Sequence, residues 1–218
     1  MSAHLNEQEQ VEIIKAFWRK YGNWILAAVI VVAVGVAAWR FWQRHDQTEM
    51  DDASVYYQTA LMGLKQHQTE VVAANTAKLQ SHFADTAYAS MASFALAKQL
   101  IDANNFTLAN AQLKWVVKHA QVSAFKAVAL LRLARIALAQ GQEKTALNYM
   151  QKLIKGFAAE FYALQGDAYT NLHKVSQARE AYDKSLSHLK TTDPLYPVVE
   201  MSRNALPVAH AAHTKETK

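Results

Sequence analysis

The stretch that decides the fold is "QGDAYTNLHKVSQAREAYDKSL", which runs from Gln165 to Leu186. It contains a small residue, Gly166, then Ala178 twelve positions later and Tyr182 four positions after that. A small residue in one helix lets a second, antiparallel helix approach closely, and an Ala on the second helix meets it. The large residue then fills the gap toward the next pair of helices. The stretch therefore predicts two short antiparallel helices joined by a tight turn.

The same spacing occurs twice earlier in the chain. The small residue, the Ala and the large residue are Ala97, Ala109 and Leu113 in "LAKQLIDANNFTLANAQLKWVV", and Ala134, Ala146 and Met150 in "LARIALAQGQEKTALNYMQKLI". The three units start 37 and 32 residues apart, close to the period of about 34 residues of a tetratricopeptide (TPR) repeat. A generic Ala-rich helical bundle is the alternative, but three units in one register favour the repeat.

The rest of the chain extends this helical architecture. Only six Gly and three Pro occur, so helix breakers are rare. The pattern of residues 46–84 indicates one further, degenerate helical pair. Asp193-Pro194 is typical of a helix start. The helix that follows would cover the last unit, which needs a cover because repeats bury their apolar faces only against neighbours. We therefore predict an all-α fold: a single N-terminal transmembrane helix, then a TPR-like α-solenoid of about four helical pairs with a C-terminal capping helix.

An apolar segment precedes the repeats. No residue from Trp24 to Trp39 is charged, and the segment from Trp24 to Trp42 would be about 28 Å long as a helix, close to the hydrocarbon thickness of about 30 Å. Aromatic residues and one Arg stand at its ends, where such residues anchor a span in the two interfaces. The predicted membrane-interface residues are Trp18, Tyr21, Trp24, Trp39, Arg40 and Trp42.

Two other interpretations of this segment remain open. A soluble core helix would carry polar residues at helical spacing, and residues 24–39 carry none. A cleaved signal peptide would use the small-x-small pattern Gly35-Val36-Ala37, but its apolar region would be shorter and nearer the start. An uncleaved anchor is favoured, and a slight excess of basic residues before the span indicates a cytoplasmic N-terminus. We expect a cytoplasmic segment (1–22), a transmembrane signal anchor (23–42), a TPR-like domain on the other side of the membrane (43–206) and a disordered tail (207–218).

Residue patterns of enzymes and of nucleic-acid-binding proteins are not found. The chain has no Cys, and its net charge of +5 comes from basic residues interspersed with acids, not from a basic stripe. His210 and His213 are the only close His pair, and no carboxylate has a suitable spacing for a shared metal. No phosphate-binding loop or nucleophile elbow occurs. We expect no enzymatic activity, no cofactor, no metal, no nucleic acid and no small-molecule substrate.

A TPR array binds partners on the concave face that the first helix of each unit lines. The repeat register places seven residues on that face: Lys98, Asp102, Leu131, Arg135, Glu160, Asp167 and Asn171. The alternative is that they are merely solvated positions. We predict them to be the partner-binding groove.

The N-terminal stretch resembles that of the YfgM family, the ancillary subunits of the SecYEG translocon. The similarity is carried by Gln10-Val11-Glu12, by Trp39-Arg40-Phe41-Trp42, and by the repeats in 131–147 and 164–182. The resemblance implies a single-pass protein of the bacterial inner membrane with a periplasmic TPR domain. It also implies association with the translocon and with a membrane-anchored periplasmic chaperone of the prolyl-isomerase type. The predicted function is a non-catalytic scaffold that helps pass secreted proteins to periplasmic chaperones. The alternative is an envelope scaffold for cell division, cell-wall assembly or stress-response regulation.

Overall fold

The structure is a computed structural model that describes residues 3–151 and 153–207. Each regular element in these two ranges is a helix. The helices are α1 (Ala3–Lys65), α2 (Thr69–His82), α3 (Ala87–Asp102), α4 (Phe106–His119), α5 (Ser123–Ala139), α6 (Glu143–Tyr149), α7 (Ala158–Asn171), α8 (Val175–Ser187) and α9 (Tyr196–Asn204). The chain forms two compact units, residues 1–52 and 53–218. The predicted disordered tail, apart from Pro207, lies outside the described residues.

The first unit contains the apolar part of α1. Phe17–Ala37 is 21 residues long with a mean hydropathy of 1.7, which is long and apolar enough to cross a membrane. None of this segment is buried within the protein; the side chain of Trp24, for example, is 79% exposed. The side chains of Trp18, Tyr21, Trp39 and Arg40 are exposed as well, while that of Trp42 lies outside the described residues. An apolar segment that is not buried among the described residues fits a lipid environment and argues against a soluble core helix.

The second unit is a stack of antiparallel helical pairs. The part of α1 from Ala53 onward packs against α2, since Ala60 shares a buried cluster with Val72 and Ala53 shares one with Leu79. The later pairs are α3 with α4, α5 with α6, and α7 with α8. The next pair packs on each preceding one, and α9 packs on α8. The predicted all-α solenoid of four pairs with a capping helix is therefore confirmed.

The turn inside each pair has the same geometry. One residue of each turn has a left-handed backbone: His67, Asn104, Gly141 and His173, with φ between 56° and 68°. The amide after it donates to a carbonyl five residues earlier: Gln68 to Gly63, Asn105 to Leu100, Gln142 to Ala137 and Lys174 to Tyr169, at 2.7–2.9 Å. This bond is typical of the Schellman ending of a helix. The equivalent turn at His67 shows that the degenerate first pair is a repeat of the same kind.

The predicted small–Ala–large register forms the core. Its members are all buried: Ala97, Ala109, Leu113, Ala134, Ala146, Met150, Gly166, Ala178 and Tyr182. The closest approach is in the last pair, where a Cβ added to Gly166 would lie 2.4 Å from Cε1 of Tyr182. The packing of the Tyr182 ring thus requires glycine at this position. The pattern predicted a small residue here, but it placed Ala178 against that residue and Tyr182 toward the next unit.

The capping helix begins later than the sequence indicated. Asp193 does not cap the helix; its carboxylate accepts a hydrogen bond from the amide of Leu195 at 2.9 Å and closes a turn. The helix then starts at Tyr196, so the predicted start at Asp193-Pro194 is wrong by two residues. The helix packs as predicted, since Val199 and Leu206 are buried in one cluster with Tyr182.

Candidate partner-binding surface

The first helices of the repeats line two cavities that share one residue, Arg135. The arginine cavity has a volume of about 390 Å³ and lies between α3 and α5; it is lined by Lys98, Ile101, Phe106, Arg132, Arg135, Ile136 and Ala139. The carboxylate cavity has a volume of about 180 Å³ and lies among α5, α7, α8 and α9; it is lined by Arg135, Glu160, Ala163, Leu164, Asp167, Tyr182, Leu195, Val198, Val199 and Ser202. Because Arg135 lines both cavities, the two cavities belong to one surface.

Four of the seven residues predicted for the groove line these cavities. Lys98 and Arg135 line the arginine cavity, and Glu160 and Asp167, together with Arg135, line the carboxylate cavity. Asp102 is exposed and forms an ion pair of 2.7 Å with Lys98. These residues come from three successive first helices, α3, α5 and α7.

The other two predicted residues lie elsewhere. Asn171 is exposed at the end of α7 and contributes to neither cavity. Leu131 is only 4% exposed and packs in the core with Met150 and Phe161. Its side chain is not accessible to a partner, so Leu131 does not belong to the surface. The physical reason is the position of Leu131 around the helix. It lies four residues before Arg135, and residues four apart are separated by about 40° around a helix. The side chain of Leu131 therefore points toward the neighbouring repeat.

The arginine cavity combines an apolar floor with a cationic rim. Ile136, at the floor, is 6% exposed. On the rim, the guanidinium carbon of Arg132 lies 4.8 Å from the centre of the Phe94 ring, which fixes the side chain by a cation–π contact. Burial, and secondarily the charge of Arg135, lower the pKa of Arg132. Two guanidinium groups of like charge therefore lie close together beside apolar side chains.

Among the described residues, Arg132 and Arg135 form no ion pair. Over residues 3–151 and 153–207, the salt bridges and the side-chain hydrogen bonds involve neither Arg132 nor Arg135. The charge of Arg135 acts on Asp167 and lowers its pKa, but no hydrogen bond joins the two side chains. Guanidinium groups bind carboxylates in a planar, bidentate geometry. The rim can therefore accept a carboxylate from outside the chain.

The carboxylate cavity contains an acid–phenol pair, in which Tyr182 is buried and Asp167 is half-buried. The hydroxyl of Tyr182 donates to Oδ1 of Asp167 at 2.8 Å. Burial raises the pKa of Asp167, although the hydrogen bond from Tyr182 and the charge of Arg135 act in the opposite direction. Burial also raises the pKa of Tyr182 to about 12, so at neutral pH the phenol remains a neutral donor. The pair fixes the position of the carboxylate at the wall of the cavity.

A family model described as "Tetratricopeptide repeat-like domain" matches residues 15–208, most of the chain. The chain belongs to this TPR-like family. The match covers both the apolar part of α1 and the helical pairs.

Three curated relatives carry the same printed name, "Ancillary SecYEG translocon subunit". The one from Neisseria gonorrhoeae is 26% identical over 94% of this chain and 100% of its own length. The one from Escherichia coli is 29% identical over 95% and 100%, and the one from Haemophilus influenzae is 28% identical over 85% and 91%. The predicted resemblance to this group is confirmed. No solved structure matches the chain.

The TPR-like surface includes residues that the sequence analysis missed. Arg132 lies three residues before Arg135 on a first helix, a spacing that places both on one face, so the doubled charge could have been found. Phe106 opens α4, a second helix, and no pattern marks it as part of a first-helix surface. The described residues contain no group of three or more His, Asp or Glu suited to a metal. The surface offers charge and apolar area for binding.

Proposed function

We propose that the chain is a non-catalytic, membrane-anchored scaffold of the SecYEG translocon, with its N-terminus in the cytoplasm and its TPR-like domain in the periplasm of the inner membrane. It helps pass secreted proteins to a membrane-anchored periplasmic chaperone of the prolyl-isomerase type. The observation that carries the proposal is the combination, in one chain, of an apolar segment able to span a membrane with a first-helix surface bearing two cavities of opposite charge.

The comparisons support the translocon as the partner. Relatives matched over their full length or nearly so are named as translocon subunits. A chain confined to the same membrane as its partner gains effective concentration without any additional contact. A weak contact at the two cavities is then sufficient for association, and a weak contact releases its partner quickly, as handover between proteins requires.

The proposal is tested by purification of the full-length, tagged protein from membranes in a mild detergent. The translocon and the prolyl-isomerase chaperone should co-purify. Reversing both charges at the surface, Arg135→Glu with Asp167→Lys, should reduce both partners several-fold while the helical signal and the thermal midpoint show a folded protein. The matched control is Lys114→Glu with Glu70→Lys, because both residues are exposed on second helices and line neither cavity.

Each outcome has a definite meaning. Loss of partners in the cavity variant but not in the control supports the scaffold function. Equal recovery of partners with both variants contradicts the role of the surface. Recovery of cell-division or wall-assembly proteins in place of the translocon contradicts the translocon assignment and favours the other envelope scaffold.

A further inference from the structure

The arginine cavity is more specific than a general binding face. Its floor consists of Ile101, Phe106, Ile136 and Ala139, and its volume of about 390 Å³ falls in the range of about 300–1,000 Å³ that is usual for ligand pockets. This space admits one large apolar side chain with its neighbouring backbone. The apolar floor thus indicates that the ligand carries a large apolar side chain.

The cationic rim of the cavity indicates the charge of the ligand. Lys98 forms an ion pair with Asp102 at 2.7 Å, so within the described residues the cationic groups of the rim that form no ion pair are Arg132 and Arg135. Arg132 is half-buried and held against Phe94, which means that little side-chain entropy is lost when it binds. A carboxylate at this point would offset the repulsion between two guanidinium groups and would form bidentate hydrogen bonds.

We propose that the arginine cavity binds a peptide segment of a partner protein in which an aromatic or branched aliphatic side chain stands next to Glu or Asp. This inference rests on the proposed function in one respect, since a scaffold of the translocon needs a partner segment to recognise. The apolar side chain enters the floor, and the neighbouring carboxylate pairs with Arg132 and Arg135.

The charge distribution favours a peptide over an anionic lipid headgroup. The surface becomes acidic directly beyond Arg135, where Glu160 and Asp167 line the carboxylate cavity. Any anion at Arg135 lies near these two carboxylates, and the phosphate of an anionic headgroup brings no cationic group to offset them. A peptide, by contrast, places its acidic group at the arginines and continues with neutral or basic residues toward Glu160 and Asp167. Opposite potentials on neighbouring patches in this way select the register of an extended ligand.

The test observes the cavity directly by methyl NMR. The full-length protein, labelled with ¹³C at the isoleucine δ1 methyl groups, is placed in nanodiscs of phosphatidylcholine. Ile101 and Ile136 report on the floor, and Ile154, which lines neither cavity, is the internal reference. The probes are synthetic peptides with a central Glu-Phe-Glu, a central Lys-Phe-Lys or a central Glu-Ala-Glu, each between Gly-Ser flanks.

The Glu-Phe-Glu peptide should shift the methyl signals of Ile101 and Ile136 saturably and leave Ile154 unchanged. The Lys-Phe-Lys and Glu-Ala-Glu peptides should bind at least about tenfold more weakly, because each lacks one half of the ligand. Arg135→Glu should weaken the binding of the Glu-Phe-Glu peptide to the same degree. Arg135 is exposed, so this variant keeps the core, and Lys114→Glu, with the same change of charge, should bind like the parent protein.

Three results would overturn the proposal. The first is equal binding of the Glu-Phe-Glu and Lys-Phe-Lys peptides, and the second is unchanged binding by Arg135→Glu. The third is that dihexanoyl phosphatidylglycerol shifts the same methyl groups at a lower concentration than the peptide, which would assign the cavity to a headgroup. If one of these three results is found while the translocon co-purifies normally, the peptide proposal is wrong and the scaffold function is still supported. Peptide binding without co-purification supports the cavity assignment and contradicts the scaffold function.

Discussion

The ring of Tyr182 lies against the backbone of Gly166, so close that any side chain at position 166 would occupy the space of the ring. An added Cβ would be 2.4 Å from Cε1, 2.5 Å from Cδ1 and 2.7 Å from Cζ of Tyr182. The ring cannot move away freely, because its hydroxyl donates to Asp167 and its body is buried against the capping helix. This contact joins α7, α8 and α9.

Gly166→Ala should therefore destabilise the protein by about 1–3 kcal/mol, the usual cost of overpacking a core. The measurement is the free energy of unfolding from denaturant titration of the helical signal. The control is the same change in a Tyr182→Ala background, which removes the ring. There the added methyl should be neutral, or stabilising by up to about 1 kcal/mol through helix propensity. Equal effects in the two backgrounds would show that the ring is not the cause.

Ala146→Phe should separate the helices of the third pair. Ala146 is fully buried on α6, in one cluster with Ala134 and Met150, so a phenyl ring has no space there. We expect a loss of about 1–3 kcal/mol or more, read as a lower thermal midpoint. Thr145→Phe is the matched control, because Thr145 is the preceding residue on the same helix and is exposed; its effect should stay within about 0.5 kcal/mol. An unchanged midpoint in Ala146→Phe would contradict the repeat register.

The carboxylate cavity should make stability depend on pH. Burial raises the pKa of Asp167 above the ordinary value of 3.8, so the native protein holds this proton more tightly than the unfolded chain does. The resulting stabilisation is complete below the unfolded pKa and is lost as the pH rises through the folded pKa. Asp167→Asn cannot ionise and still offers an oxygen to Tyr182. Its stability relative to the wild type should therefore increase as the pH rises from about 3 to 7.

Denaturant titrations of both proteins across this pH range provide the measurement. Asp102→Asn controls for the loss of a carboxylate, since Asp102 is exposed and pairs only with Lys98. A stability difference between Asp167→Asn and the wild type that does not change with pH would show that burial does not govern this group.

The orientation can be tested because the chain contains no Cys. Single cysteines are introduced at Ser2 and at Ser176, an exposed residue of α8, and treated with a membrane-impermeant maleimide. In intact spheroplasts Ser176→Cys should be labelled, and Ser2→Cys should be labelled only after lysis. Mass spectrometry of the mature protein should also recover peptides from residues 1–20, as an uncleaved anchor requires. A mature N-terminus near Ala38 would contradict the anchor.

The sequence was sufficient for the helical pairs because their packing depends on local residue size. Gly166 and Ala134 are visible as small residues at a fixed spacing, and both are buried as predicted. The turns were only partly visible: Asn104 and Gly141 suit a left-handed backbone, whereas His67 and His173 adopt it although His takes this conformation less readily than Gly. There, the packing of the two helices overrides the local preference.

The surface was less predictable because it depends on how successive pairs are rotated. The register correctly placed Lys98 and Arg135 on first helices. It also placed Leu131 on the partner-binding face, although the side chain of Leu131 is buried in the core. It also did not reveal that Arg135 would stand between a second arginine and two acids. That arrangement requires the relative rotation of α3, α5 and α7, which no single repeat encodes.

The position of Arg135 in both cavities has a thermodynamic consequence. Its positive charge favours the ionised form of Asp167, and a ligand carboxylate bound at Arg135 would offset that charge. The proton affinity of Asp167 would then rise, so that binding of an acidic segment at one cavity is accompanied by proton uptake at the other. By reciprocity, mild acidification would strengthen the hold of the protein on such a segment. One shared arginine would thus let the scaffold respond to the acidity of the compartment in which it works.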